Sequence, residues 1–140
     1  MKKFMLGGML LLSFSALSQV ESVELYKDVN CGCCQLWGDA IQKAGYNVVV
    51  NEVDYNELNQ LNDELKVPYD LRSCHIAKYK GKVIVGHVPV SNLASIDSLP
   101  DDAIGISVPG MPIGSLGMEQ PSGATQPYSV VTFKTNGERY

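Results

Sequence analysis

Three thiols crowded into "CGCC", residues 31–34, constrain this chain more than any other feature because of where they fall. Before them, "SVELYKD" (22–28) sets apolar Val23 and Leu25, and then Val29, between polar residues, the period of a strand. After them, Leu36, Trp37, Ala40, Ile41 and Ala44 recur at helical spacing. They predict a helix over 33–44 that stops at Gly45. The thiols therefore stand where a strand hands over to a helix. Unpaired N–H groups and the partial positive charge of a helix start favour thiolate over thiol, which predicts depressed pKa values for Cys31, Cys33 and Cys34.

The rest of the chain keeps alternating. "YNVVVNEV" (46–53) reads as a second strand whose valine run predicts burial. Asp54 with Glu57 makes a capping box, and Leu58, Leu61 and Leu65 give an amphipathic helix before Pro68. "CHIAKYK" (74–80) and "KVIVGHV" (82–88) read as two strands about a turn at Gly81. Ser91 or Asn92 can cap a short third helix with Leu93, Ile96 and Leu99 inward, ended by Pro100. This β-α-β-α-β-β-α order predicts an α/β fold of the thioredoxin-like kind, a central mixed sheet with flanking helices. "GISVPGMPIGSLGME" (105–119) is a Gly/Pro/Met-rich loop predicted to hold no regular structure. "PYSVVTFKTNGERY" (127–140) then closes the chain as a strand with an Asn136-Gly137 turn.

Thiols mean different things in different redox compartments, so the N-terminus matters. Lys2 and Lys3, the apolar run Phe4 to Leu12, and the small-residue exit Ala16-Leu17-Ser18 read as a secretory signal peptide over 1–18. The run is short for a membrane span. The expected mature protein is periplasmic, a single domain over 19–140 with no membrane attachment after cleavage. Its net charge, −4 for the whole chain, becomes more negative once both lysines leave, which argues against nucleic acid and anionic membrane as partners. Of the four cysteines, only Cys74 is remote. A bond between Cys33 and Cys34 would close a strained eight-membered ring, so a two-disulfide scaffold does not suit this spacing.

Two chemistries compete for the cluster. Cys31 and Cys34 alone would serve a thiol–disulfide oxidoreductase, with Cys33 or Cys74 as resolving thiol. The third thiol and the downstream donors favour metal. Adjacent helical side chains diverge by roughly 100°, so close but divergent thiolates suit several sulfur-bridged ions better than one enclosed ion. Cys74 and His75 follow as a pair, then His87 in "GHVP", then Met111 and Met118. Thiolate, imidazole and thioether together describe copper, above all Cu(I), better than zinc or iron. Taken singly these residues have plainer readings. His87 is a hydrogen-bonded strand-end histidine, the methionines are filler as readily as ligands, Cys74 is a buried or resolving thiol, and Trp37 is core.

"CGCCQLW", "SCHIA", "GHVP", "VPGMPIGSLGME" and "PYSVVTF", in this order, resemble the CopG-type periplasmic copper-handling proteins of the metal-resistance family. The resemblance runs from about Val23 to the C-terminus. It implies a thioredoxin-like fold and copper at the Cys-x-Cys-Cys motif as a multi-copper, thiolate-bridged cluster. It further implies a part in copper tolerance through Cu(I)/Cu(II) interconversion, with copper ions and other periplasmic copper-handling proteins as partners. By residue, it implies Cys31, Cys33 and Cys34 as ligands, with Cys74, His75, His87, Met111 and Met118 around the cluster. The chain departs from the family pattern at Ile76, where Thr is usual and would offer a hydroxyl to the neighbouring imidazole, and at Leu116, where Pro is usual. Lys82 and Val85 replace a common Tyr and Glu. No departure removes a donor.

Overall fold

The computed structural model describes residues 20–140; the expected signal peptide lies outside the described residues. Six strands form one mixed sheet: β1 (Val23–Asp28), β2 (Val48–Val53), β3 (His75–Tyr79), β4 (Lys82–Gly86), β5 (Ala103–Val108) and β6 (Val131–Lys134). Their order across the sheet is β2-β1-β3-β4-β5-β6. The β1–β2 and β4–β5 pairs are parallel, and the β1–β3, β3–β4 and β5–β6 pairs are antiparallel. Three helices join them, α1 (Gly32–Lys43), α2 (Tyr55–Glu64) and α3 (Val90–Ala94).

Strand alternation divides the core in two. Val23 and Leu25 of β1, Ala77 of β3, Ile84 of β4 and Ile106 of β5 pack with Trp37 and Ile41 of α1 and with Leu93 and Ile96. The intervening residues Ile76, Val83 and Val85 face the other way, against Leu58, Leu71 and Phe133. Among the described residues no helix is long and apolar enough to cross a membrane.

Helix α1 lies close on the sheet. Its buried stripe is Cys34, Trp37, Gly38 and Ile41, spaced i, i+3, i+4, i+7. A Cβ at Gly38 would sit 2.8 Å from Leu25 Cδ2. Leu36 is 57% exposed, so the expected apolar face is shifted by one position and Leu36 lies outside it. Helix α2 begins as predicted, with the reciprocal Asp54–Glu57 capping box in place.

Other expectations change. β2 is an edge strand, and Val49 and Val50 of the valine run are 44% and 40% exposed. The third helix starts at Val90 with Pro89 at its N-cap; a proline with φ already near −60° fits that position, and neither Ser91 nor Asn92 caps it. β5 runs through 105–108, the start of the stretch expected to be loop. Gly105 is part of that strand because its bare Cα lets the Val83 carbonyl approach closely, at an irregularity in the pairing with β6. The closing strand is shorter than its sequence suggests. Only 131–134 pair with β5, and the chain then turns at Gly137, whose φ is 82°.

Candidate metal centre

The sheet ends and the start of α1 bring the cysteines together. Cys31 occupies the N-cap of α1 in extended conformation, without a side-chain cap and with no acid in the first turn. The orphan N–H groups of the helix therefore face the sulfurs. Cys33 and Cys34 lie in that first turn. Cys31 and Cys34 are joined in a disulfide, while Cys33 and Cys74 are free thiols. Joined in this way, neither carries a thiol to titrate, so the expected depressed pKa values at Cys31 and Cys34 concern the dithiol form alone. A helix start brings residues i and i+3 to the same side, so the pair that closes is the one the helical period brings together.

Cys74 arrives from the β3–β4 hairpin. The register pairs Ile76 with Val85 and Ala77 with Ile84, and its continuation past both strand ends puts Cys74 opposite His87. Cys74 Sγ is 3.2 Å from His87 Nε2 and 3.6 Å from His75 Nδ1. Cys34 Sγ lies 3.5 Å from the Cys74 carbonyl oxygen. The four cysteine sulfurs all lie within 4.8 Å of one another, and so do the donor atoms of Cys74, His75 and His87.

The histidines differ in their surroundings. His87 Nδ1 donates to the Leu116 carbonyl at 2.8 Å. That bond fixes the tautomer and leaves the Nε2 lone pair aimed at Cys74. His75 is fully buried, its ring centroid 4.7 Å from that of Trp37 with the planes tilted by 39°, and edge-on to His87 at 5.0 Å. Trp37 is held in turn by donating from Nε1 to the Val88 carbonyl at 2.9 Å. Burial, with His87 as a second cause, lowers the His75 pKa to about 3, and burial lowers that of His87. Both imidazoles are neutral, the form that binds metal. Burial, reinforced by Cys33, raises the Cys74 thiol to about 12. A thiol so placed gives up its proton only to a cation that takes over the sulfur.

His75 Nε2 is buried without a hydrogen-bond partner, a cost of about 1–3 kcal/mol that structural need does not explain. The donor set fits a soft cation: free thiols, neutral imidazoles, and a thioether. Met111 supplies the last, its Sδ 3.9 Å from Cys33 Sγ, and Met111 is half exposed. Cys33 Sγ is in turn 3.6 Å from Cys31 Sγ. Met118 is tied in by its backbone, donating to Ser115 and accepting from Gly114. Among the described residues no hydrogen-bond-length contact joins its thioether to the sulfurs.

A family profile described as "Protein of unknown function, DUF411" matches residues 71–118, the stretch that carries Cys74, both histidines and both loop methionines. The solved structure "Copper resistance protein copG- Form 1" is 32% identical, with a TM-score of 0.78 over 85% of this chain and 92% of that one. "Copper resistance protein copG- Form 2" is also 32% identical, with a TM-score of 0.77 over 86% and 94%. The chain belongs to the CopG family. No curated protein matches it.

Several groups around this CopG-family site carry no sequence signal of their own. Ser73 donates its hydroxyl proton to the Gly110 carbonyl, tying the hairpin to the methionine loop, and its Oγ lies 3.8 Å from Cys74 Sγ. Gly117, with φ 86°, seats that loop on α1, where a Cβ would lie 2.9 Å from both Cys33 O and Trp37 N. Its place in a glycine-rich loop between two methionines is the only hint the sequence offers. Ile76 packs in the opposite core, so the exchange of Thr for Ile there falls away from the imidazoles. At Leu116 it is the carbonyl that matters, which Pro would supply equally.

Proposed function

We propose that this is a periplasmic copper-binding protein of copper homeostasis and resistance, exported by its N-terminal signal and taking cuprous ions as cargo. One observation carries the reading: four cysteine sulfurs within 4.8 Å, with two neutral histidines converging on one of them. Membership of a family whose solved members are titled copper resistance proteins supports it. In the dithiol form, Cys31, Cys33, Cys34 and Cys74 hold several Cu(I) ions through bridging sulfur. His87 binds through Nε2, His75 lies beside it, and Met111 guards the outer side with Met118 behind. The protein interconverts Cu(I) and Cu(II), and other periplasmic copper-handling proteins are its partners.

The test is anaerobic titration of reduced protein with cuprous ion against a competing chelator. The expected stoichiometry exceeds one, and Cys33→Ser lowers it. A weak, single event independent of Cys33 would overturn the reading.

The Cys31–Cys34 disulfide favours a second reading, a thiol–disulfide oxidoreductase acting on other proteins. Insulin reduction separates the two. Robust turnover by metal-free protein, unchanged in the Met111→Leu/Met118→Leu double variant, would establish the second.

A further inference from the structure

The disulfide lies between two unlike sets of copper donors. On the outer side are Cys33 and half-exposed Met111, 3.9 Å apart, with Cys33 Sγ 3.6 Å from Cys31 Sγ. On the inner side are Cys74 and His87, 3.2 Å apart, with fully buried Cys34 against the Cys74 carbonyl. The four cysteine sulfurs all lie within 4.8 Å of one another. An ion on either side thus lies beside the one dithiol–disulfide couple in the site, whose dithiol form carries the two electrons that the disulfide lacks.

We propose that Cys31 and Cys34 are the electron source for copper reduction, a two-electron store that turns two cupric ions into two cuprous ions. This rests on the copper reading above and names the substrate and the donor. In the step, the Cys31 and Cys34 thiols each give one electron to a Cu(II), the S–S bond forms, and two protons leave to solvent. The product is soft, and the donors left free by the reaction, Cys33, Cys74, His87 and Met111, are those that retain it. Cys33 stays a thiol because it projects from the helix about 100° away from Cys34.

The disulfide form is therefore the oxidised half of a cycle. A dithiol donor must reset it, by thiolate attack on half-buried Cys31 with fully buried Cys34 as leaving group. The donor ends as a disulfide, and its two protons pass to Cys31 and Cys34.

The experiment starts from protein reduced, then freed of reductant and metal under nitrogen. Cupric chloride is added with bicinchoninate to report cuprous ion. Two cuprous ions per chain are expected, with a fall of two in thiols titrated after unfolding, and Cys33 and Cys74 the two that are then alkylated. Cys31→Ser should slow the reduction at least tenfold. Wild-type alkylation mapping needs no variant, so a misfolded Cys31→Ser would not rescue the proposal. Oxidation of Cys33 or Cys74 in place of the proposed pair, links between chains, or equal rates in Cys31→Ser would overturn it. A parallel titration with cuprous ion separates the two readings: retained Cu(I) without reduction of Cu(II) sinks only the electron store, and failure to retain Cu(I) sinks the copper reading as well.

Discussion

The two halves of the site are built in opposite ways. The CGCC half is local: four consecutive residues at a helix start, partly exposed, two of them already oxidised to a disulfide. The half made by Cys74, His75 and His87 is assembled by a hairpin, packed on Trp37, and kept neutral by burial. Reactivity is concentrated in the first half and rigidity in the second. The proposed copper chemistry gains from that division, because a reactive half would be braced by groups that burial keeps neutral.

The sharpest way to break the contrast is to remove the brace. Trp37 has no exposed surface and supports His75 directly. Trp37→Ala should cost about 3–5 kcal/mol in urea unfolding of the metal-free protein. Cys33→Ser, on the outer half, should stay within about 0.5 kcal/mol of the parent. If both variants lost the same stability, the two halves would not be mechanically distinct.

Acid should next act on the inner half alone. His75 is neutral in the fold with its pKa lowered to about 3, against an ordinary value of 6.5, by burial and by His87, and its neighbours include Cys74, the Trp37 ring and the Gly86 backbone. Unfolding below pH 6.5 takes up a proton that the folded state excludes. The stabilisation is whole above pH 6.5 and is lost as pH falls toward 3, by up to about 1.4 kcal/mol per pH unit for one proton. Urea melts of metal-free protein between pH 7 and 4 should show this slope, and His75→Phe should flatten it. An unchanged slope in His75→Phe would place the titration elsewhere.

These halves were unequally legible in the sequence. The CGCC half could be read because strand period, helix period and thiols are adjacent in the chain, and local pattern is what periodicity reports. The inner half needed the β3–β4 register, and nothing in "SCHIA" or "GHVP" says that His75 turns toward Trp37 while Ile76 turns away. Even locally there were misreadings. Val49 and Val50 look buried because β-branched runs usually are, but their strand lies at the sheet edge. Residues 105–108 look like the start of a Gly/Pro-rich loop because Gly105 is normally a breaker, yet there it admits the Val83 carbonyl. Tertiary contact set the outcome in both cases.

A third intervention concerns the hinge between the halves. Gly117 holds φ at 86° and leaves no room for a Cβ, which would lie 2.9 Å from Cys33 O and Trp37 N. Gly117→Ala adds both backbone strain and a clash, together about 1–3 kcal/mol. Because Leu116 next door receives the His87 Nδ1–H bond, the lifted loop should also free that imidazole to rotate. Histidine NMR signals should then report a change in His87 tautomer with His75 unmoved. A loop that lifts without disturbing His87 would mean the Leu116 bond does not set the tautomer.

The smallest expected effect separates the two methionines, which the sequence alone treats as equals. Met111 brings its thioether to 3.9 Å from Cys33 and stands half exposed, where an arriving ion first meets the site. Met118 contributes backbone bonds that close the loop. Leu matches Met in volume and lacks only the sulfur, so each substitution deletes a donor while sparing the packing. Met111→Leu should weaken Cu(I) retention against a chelator by about tenfold, or about 1.4 kcal/mol, and Met118→Leu by less. The reverse order would mean that the loop turns over when copper binds and brings Met118 to the sulfurs, so that the outer half, unlike the inner one, is remade by its cargo.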